Sequence, residues 1–342
     1  MFKLSTLIIL LPSLAVGQLP SGWVIGWGDN DYGAATGIAS VIEKNEMKRH
    51  DAVGVVTVAG QLLRDAVSIS AGKEHALALK KDGTVVAWGG NNVCGELSVP
   101  TGLSNVVAVG AGVGWSVALK KDGTVISWGG CGQIAQPSDL TNIVKISVGC
   151  LQALALRKDG VVISWGNTVG KIPANLHNVV DVCAGGFPGP RNLAIKQDAT
   201  ISHWGSETTH HDATPPKDLI NILSVAVGRN HSLALQRDGT VFGWGFNELG
   251  QATGVQTTND SLISSGLVTI GGIILSNVVG IAAHNDFSLA LKNDGTIVGW
   301  GEKISPQKKI PVGLTNLVAL AVGDRFCLAI TTNAAVAEKF QH

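Results

Sequence analysis

Short apolar runs recur along this chain, separated by turns rich in glycine, aspartate and asparagine. Residues 66–89 show the unit. Ala66-Val67-Ser68-Ile69-Ser70 alternates apolar and polar positions, and Ala71-Gly72 turns the chain. Ala76 to Leu79 is apolar throughout, as expected of a strand covered on both faces. Asp82-Gly83 then signals a hairpin, because glycine accepts positive φ, and Val85-Val86-Ala87-Trp88 is a third strand. The phrase is plainest at residues 75–89 (HALALKKDGTVVAWG) and 231–245 (HSLALQRDGTVFGWG), and a Trp-Gly pair starts at residues 27, 88, 128, 165, 204, 244 and 300. Leu317 to Ile330 is a last copy without its Trp-Gly, while the Trp27 segment lacks preceding strands. Three short strands cannot bury both faces alone, whereas units arranged radially can. The pattern predicts an all-β, seven-bladed propeller whose ring is closed by N- and C-terminal half-repeats in one blade. For the closing strand, Trp23 to Trp27 has better β propensity than its competitor, the tail Asn333 to Ala337.

Composition narrows the function classes. With 25 basic and 25 acidic residues the formal charge is zero, which gives no electrostatic case for nucleic acid or an anionic membrane. Residues 1–17 differ from the rest. Met1-Phe2-Lys3 is a short basic start, Leu4 to Val16 is apolar, and Ala15-Val16-Gly17 offers a cleavage site. That reads as a secretory signal peptide followed by a single domain over 18–342, placing the mature protein outside the cytosol. The apolar run Leu267 to Ala283 is interrupted by polar residues and glycines and is not a membrane span. Among five cysteines, Cys94 and Cys131 each follow a Trp-Gly, and Cys150 and Cys183 each sit near the end of a first strand. Either pair is placed to bridge neighbouring repeats; buried unpaired thiols are the equal alternative. Cys327 is the odd thiol.

The phrase LALKKDGTVVAWG, with WGDNDYGAATG at 27–37 and WGFNELGQATG at 244–254, resembles the regulator-of-chromosome-condensation repeat family. The compact units between Trp88 and Trp244, joined by Pro-x-x-Leu-x-Asn linkers, look most like its secreted branch, typified by the β-lactamase-inhibitor propeller. The resemblance implies a propeller. For function it implies several activities, since members include exchange factors and inhibitors, and a fold does not fix an activity.

No constellation points to catalysis, and no cofactor is implied. The recurring Asp82, Asp122, Asp159, Asp198, Asp238 and Asp294 read as turn residues bonding their own backbone, and the linker asparagines as turn caps. His203, His210, His211 and Asp212 lack a shared scaffold face for a metal. Asp29-Asn30-Asp31 starts like a calcium loop but lacks the later ligands.

Aligning the units on Trp-Gly gives a ring of positions thirteen residues earlier: His75, Trp115, Gln152, Arg191, His231 and Phe287, with Phe326 in the last copy. The residues just before them form loops expected on one face, the fourth enlarged around Phe187. The ring is chemically uneven, which favours one extracellular protein partner over a repeated sugar site. Trp115, Phe187 and Arg191 are the expected anchors, since Trp and Arg dominate interface energetics. The competing reading packs these side chains inward at the blade tops. Asn259-Asp260-Ser261 is a candidate N-glycan acceptor. The expectation is thus a secreted, monomeric, non-catalytic binding propeller, inhibitor-like in mode. A glycan- or cell-wall-binding propeller comes second and a guanine-nucleotide exchange factor third.

Overall fold

The computed structural model describes residues 19–39, 50–132, 135–167, 170–186, 189–205, 214–258, 262–302 and 309–341. Among them are seven antiparallel sheets of three or four strands and two small two-stranded hairpins. The first blade sets the plan: an inner strand Ala66–Ala71, a middle strand His75–Lys80 and an outer strand Val85–Gly89. Each inner strand packs against the next in chain order, and the last, Leu317–Val322, packs back against Ala66–Ala71. The ring is closed.

The chain ends meet in the seventh blade as the half-repeats predict. Trp23–Asp29 pairs antiparallel with Phe326–Thr331, placing Trp27 opposite Cys327, and with Asp51–Val55 on its other side. The competing tail is helical instead. Ala334–Glu338 forms one short helix, capped by Asn333, whose Oδ1 accepts from Ala335 N at 3.0 Å. No helix among the described residues is long and apolar enough to cross a membrane.

Turn chemistry follows the repeat. Asp82 Oδ1 accepts from the Thr84 amide at 3.0 Å and its hydroxyl at 2.6 Å, and Asp122, Asp198, Asp238 and Asp294 bond Thr124, Thr200, Thr240 and Thr296 alike. These bonds hold the carboxyls below the usual range, Asp122 at about 2. Asp159 pairs with Arg157 instead. The linker asparagines work through their backbone rather than as side-chain caps. Asn105, Asn142, Asn178, Asn221 and Asn316 take φ of 54–58°, and the Asn105 carbonyl accepts from the Lys121 amide of the following hairpin.

The tryptophans close the seams between blades. Trp88 Nε1 donates to Ala34 O, Trp128 to Glu96 O and Trp300 to Gln251 O, each in the exit loop of the preceding blade. That places a large apolar ring and a satisfied N–H at one repeated seam.

Candidate functional site

Where each inner strand turns into its middle strand, the loops gather around the mouth of the central channel. A cavity of about 160 Å³ is lined there by Lys73, Gly112, Cys150, Gly186, Arg229 and Asn285, contributed by six blades. Beside it a groove of about 280 Å³ runs along Asp29, Asp31, Tyr32, Glu74, Asp324 and Arg325 at the junction of the seventh and first blades. The mouth is asymmetric in charge: the inner-to-middle turns carry Lys73, Val113, Cys150, Gly186, Arg229, Asn285 and Asp324 at matching places. Tyr32 is 45% exposed on the rim. A repeating backbone thus displays side chains that do not repeat.

The ring of seven expected at the binding surface is not there. His75, Trp115, Gln152, Arg191, His231, Phe287 and Phe326 are all buried, none more than 6% exposed. The first residue of a middle strand points into the seam with the next blade, not up into solvent, so the ring serves packing. His75 Nε2 lies 3.0 Å from Ser116 Oγ, whose hydroxyl donates to Glu96 O. Gln152 Nε2 donates to Gly185 O at 3.1 Å, and its Oε1 accepts from Asn192 Nδ2 at 3.2 Å. Trp115 Nε1 donates to Cys150 O at 3.1 Å. Burial pushes His75 down to about 4, with Glu96 opposing, and His231 to about 3, with Arg191 adding to the effect. Of the other expected residues, Phe187, Asn259, His210, His211, Asp212 and segment 1–17 lie outside the described residues. His203 is exposed on an outer strand.

The cysteines resolve unevenly. Cys94 and Cys131 are disulfide-bonded and tie the exit loops of the first and second blades. The other expected pair does not form, for Cys150 and Cys183 are free. Cys183 sits within its inner strand opposite Leu193, whereas Cys150 lies beyond its strand in the turn, so the two are out of step by three repeat positions. Burial pushes the Cys150 thiol up to about 11 and Cys183 to about 12.

Two features escaped the sequence reading. Asn30 and Asn247 are buried hubs: Asn247 Oδ1 accepts from Ala252 and Thr253 amides, and Asn30 Oδ1 from Ala35 and Thr36. Asn30 therefore organises its own loop, while Asp31 faces His50 at 3.3 Å. The second is His284, which lines the channel mouth with Nε2 4.0 Å from Cys150 Sγ. Its signal was present in the alignment of inner-strand ends, where the other six repeats carry glycine. Among the described residues, no three or more His, Cys, Asp or Glu side chains converge on a metal site.

Comparison with known proteins agrees with this geometry. The family model for the Regulator of chromosome condensation (RCC1) repeat matches residues 66–96 and 222–251. Protein pim1 of Schizosaccharomyces pombe is 26% identical over 147 residues, 35% of this chain and 27% of that protein. The human RCC1-like G exchanging factor-like protein is 37% identical over 81 residues, 23% of this chain and 17% of that protein. The chain spans 13–27% of the length of the first curated relatives it matches. Among solved structures, yeast RCC1 (Prp20) bound to Kap60 superposes with a TM-score of 0.70 at 17% identity, covering 99% of this chain and 94% of that one.

Proposed function

This chain is a propeller of RCC1-type repeats, and on that premise we propose that it is a secreted, non-catalytic module that binds a protein partner at the channel-mouth face. One observation carries the reading: the scaffold repeats, yet the seven turns around the mouth differ in size and charge. A lectin-like surface would repeat its contact set in each blade. A single large partner instead reads an uneven face, meeting Arg229 on the fifth blade and, across the mouth, Lys73 and Asp324 together at the junction of the first and seventh. The Cys94–Cys131 disulfide supports an oxidising compartment, in line with the apolar leader, and it braces two exit loops beside the mouth. An inhibitor-like mode fits, because rigid loops lose little entropy on binding.

The human relative's name suggests nucleotide exchange on a small GTPase, which would place the protein in the reducing cytosol; the disulfide weighs against that. The test is capture of partners from the culture medium with the full secreted chain, followed by quantitative binding to the partner identified. Lys73→Glu combined with Arg229→Glu is expected to weaken binding at least tenfold, and Lys81→Ala on the opposite hairpin edge to leave it unchanged. Unaltered affinity in the double variant, or binding to a glycan array in place of protein, overturns the reading.

A further inference from the structure

His284 breaks the rule that the other blades obey. Gly72, Gly112, Gly149, Gly185, Gly228 and Gly323 occupy its place in the other six repeats. At Gly72 an added Cβ would come within 2.3 Å of Gly112 O, and at Gly228 within 2.2 Å of the His231 ring and 2.8 Å of Asn285 O, so crowding explains glycine at these two places. The sixth blade nevertheless carries a full imidazole there, and its ring lines the channel. Nε2 stands 4.0 Å from the Cys150 Sγ of the third blade, 134 residues earlier in the chain. The Cys150 thiol is free, and His284 Nδ1 is shielded from solvent with no hydrogen-bond partner among the described residues. Asp324 sits at the same mouth, receives Asn285 Nδ2, and acts electrostatically on both groups.

We propose that Cys150 and His284 bind a thiophilic cation of the zinc type across the channel mouth. One soft sulfur and one imidazole nitrogen are the donor types that such ions select over oxygen-only sites. In a tetrahedral zinc site those two donors stand about 3.6 Å apart, so a small side-chain rotation closes the observed gap. The Cys150 thiol gives up its proton to solvent as it coordinates, because the ion's own charge reverses the penalty that burial imposes on a thiolate. Asp324 adds negative charge nearby, and Lys73 sets a positive charge against it. With no third His, Cys, Asp or Glu converging on the pair among the described residues, water would complete the shell and leave an open position at the mouth. A bare thiol–imidazole contact would explain the distance but not why the sixth blade abandons glycine to make it.

The experiment is a titration of the purified full chain, disulfide intact, with Co²⁺ and then Zn²⁺. Cobalt bound to a thiolate shows a sulfur-to-metal charge-transfer band, which zinc should bleach. One equivalent is expected, with the band lost in Cys150→Ser and in His284→Gly and kept in Cys183→Ala. His284→Gly restores the residue of the other six blades, and a thermal melt confirms that each variant is folded. Absence of the band in the wild-type chain, its survival in either ligand variant, or its loss in folded Cys183→Ala overturns the assignment.

Discussion

His231 of the fifth blade lies 2.8 Å from Ser288 Oγ of the sixth, and the Ser288 hydroxyl donates onward to the Gln251 carbonyl. Because that hydroxyl proton is engaged, Nε2–H of His231 donates to Ser288, which fixes the neutral tautomer. His75, Ser116 and Glu96 repeat the arrangement between the first and second blades. What the sequence presents as a variable binding ring is, in these blades, a set of polar staples across seams.

These staples make stability depend on pH. Both histidines are held neutral in the folded chain, His75 down to about 4 and His231 to about 3, against 6.5 for an unburied histidine. A depressed folded value means that the unfolded chain takes up protons first as pH falls. The contribution is therefore intact above 6.5 and is lost on descending toward each folded value, by up to about 1.4 kcal/mol per pH unit per histidine. Melting temperature should fall between pH 6.5 and 4.5, and His75→Gln with His231→Gln should flatten that fall. Glutamine is the residue the third repeat uses at this place, as Gln152. An unchanged pH profile in the double variant would sink the idea.

Trp115 gives a sharper separation of packing from binding. It is 1% exposed and packs among Val117, Leu119 and Ile146 in the core between the second and third blades. Trp115→Ala should cost about 3–5 kcal/mol in chemical denaturation, the usual penalty for emptying a large buried aromatic site. Where the variant still folds, affinity for the partner should change far less than in Lys73→Glu. A surface anchor would show the opposite pattern.

The strand grammar could be read from the chain because it is local. Alternation, Asp-Gly turns and the Trp-Gly endings each act within a few residues, and two half-copies at the ends could only add up in a ring. Side-chain direction at the blade tops was not local. Whether His75 points to solvent or into a seam depends on where the neighbouring blade lies, and a buried histidine and an exposed one look alike in sequence. The cysteines show the same limit: Cys94 stands six residues after Trp88 and Cys131 three after Trp128, so neither pair is in register, yet the two in the exit loops bond while Cys150, in a turn, and Cys183, within a strand, do not. His284 was visible only by aligning the repeats on the ends of their inner strands, a frame different from the Trp-Gly one.

The Cys94–Cys131 bridge closes a loop with a sequence separation of 37 and spans two blades. A constraint of that length restricts the unfolded chain enough to contribute about 2–4 kcal/mol. Replacing both cysteines by serine should lower stability by that amount. It should also raise amide exchange in the Asn91–Glu96 loop, whose Cys94 amide bonds Glu96 Oε2. A double variant as stable and as protected as the parent would show the bridge to be incidental.

Ring closure is the last and most global test. Trp23–Asp29 is held on both sides, by Phe326–Thr331 and by Asp51–Val55, and its Val24, Ile25 and Trp27 side chains are almost wholly buried. Deleting residues 19–30 would strip those side chains from two core clusters and leave the C-terminal strand as an open edge. Stability should drop for every blade, because each depends on its neighbours around a closed circle. The tail makes the control. Its helix buries only Val336 and Ala337, so removing residues 333–342 should cost less and preserve one cooperative transition. An N-terminal deletion that melts like the full chain, or a tail deletion that proves the more damaging, would mean that the seventh blade is closed by something other than the Trp23–Asp29 strand.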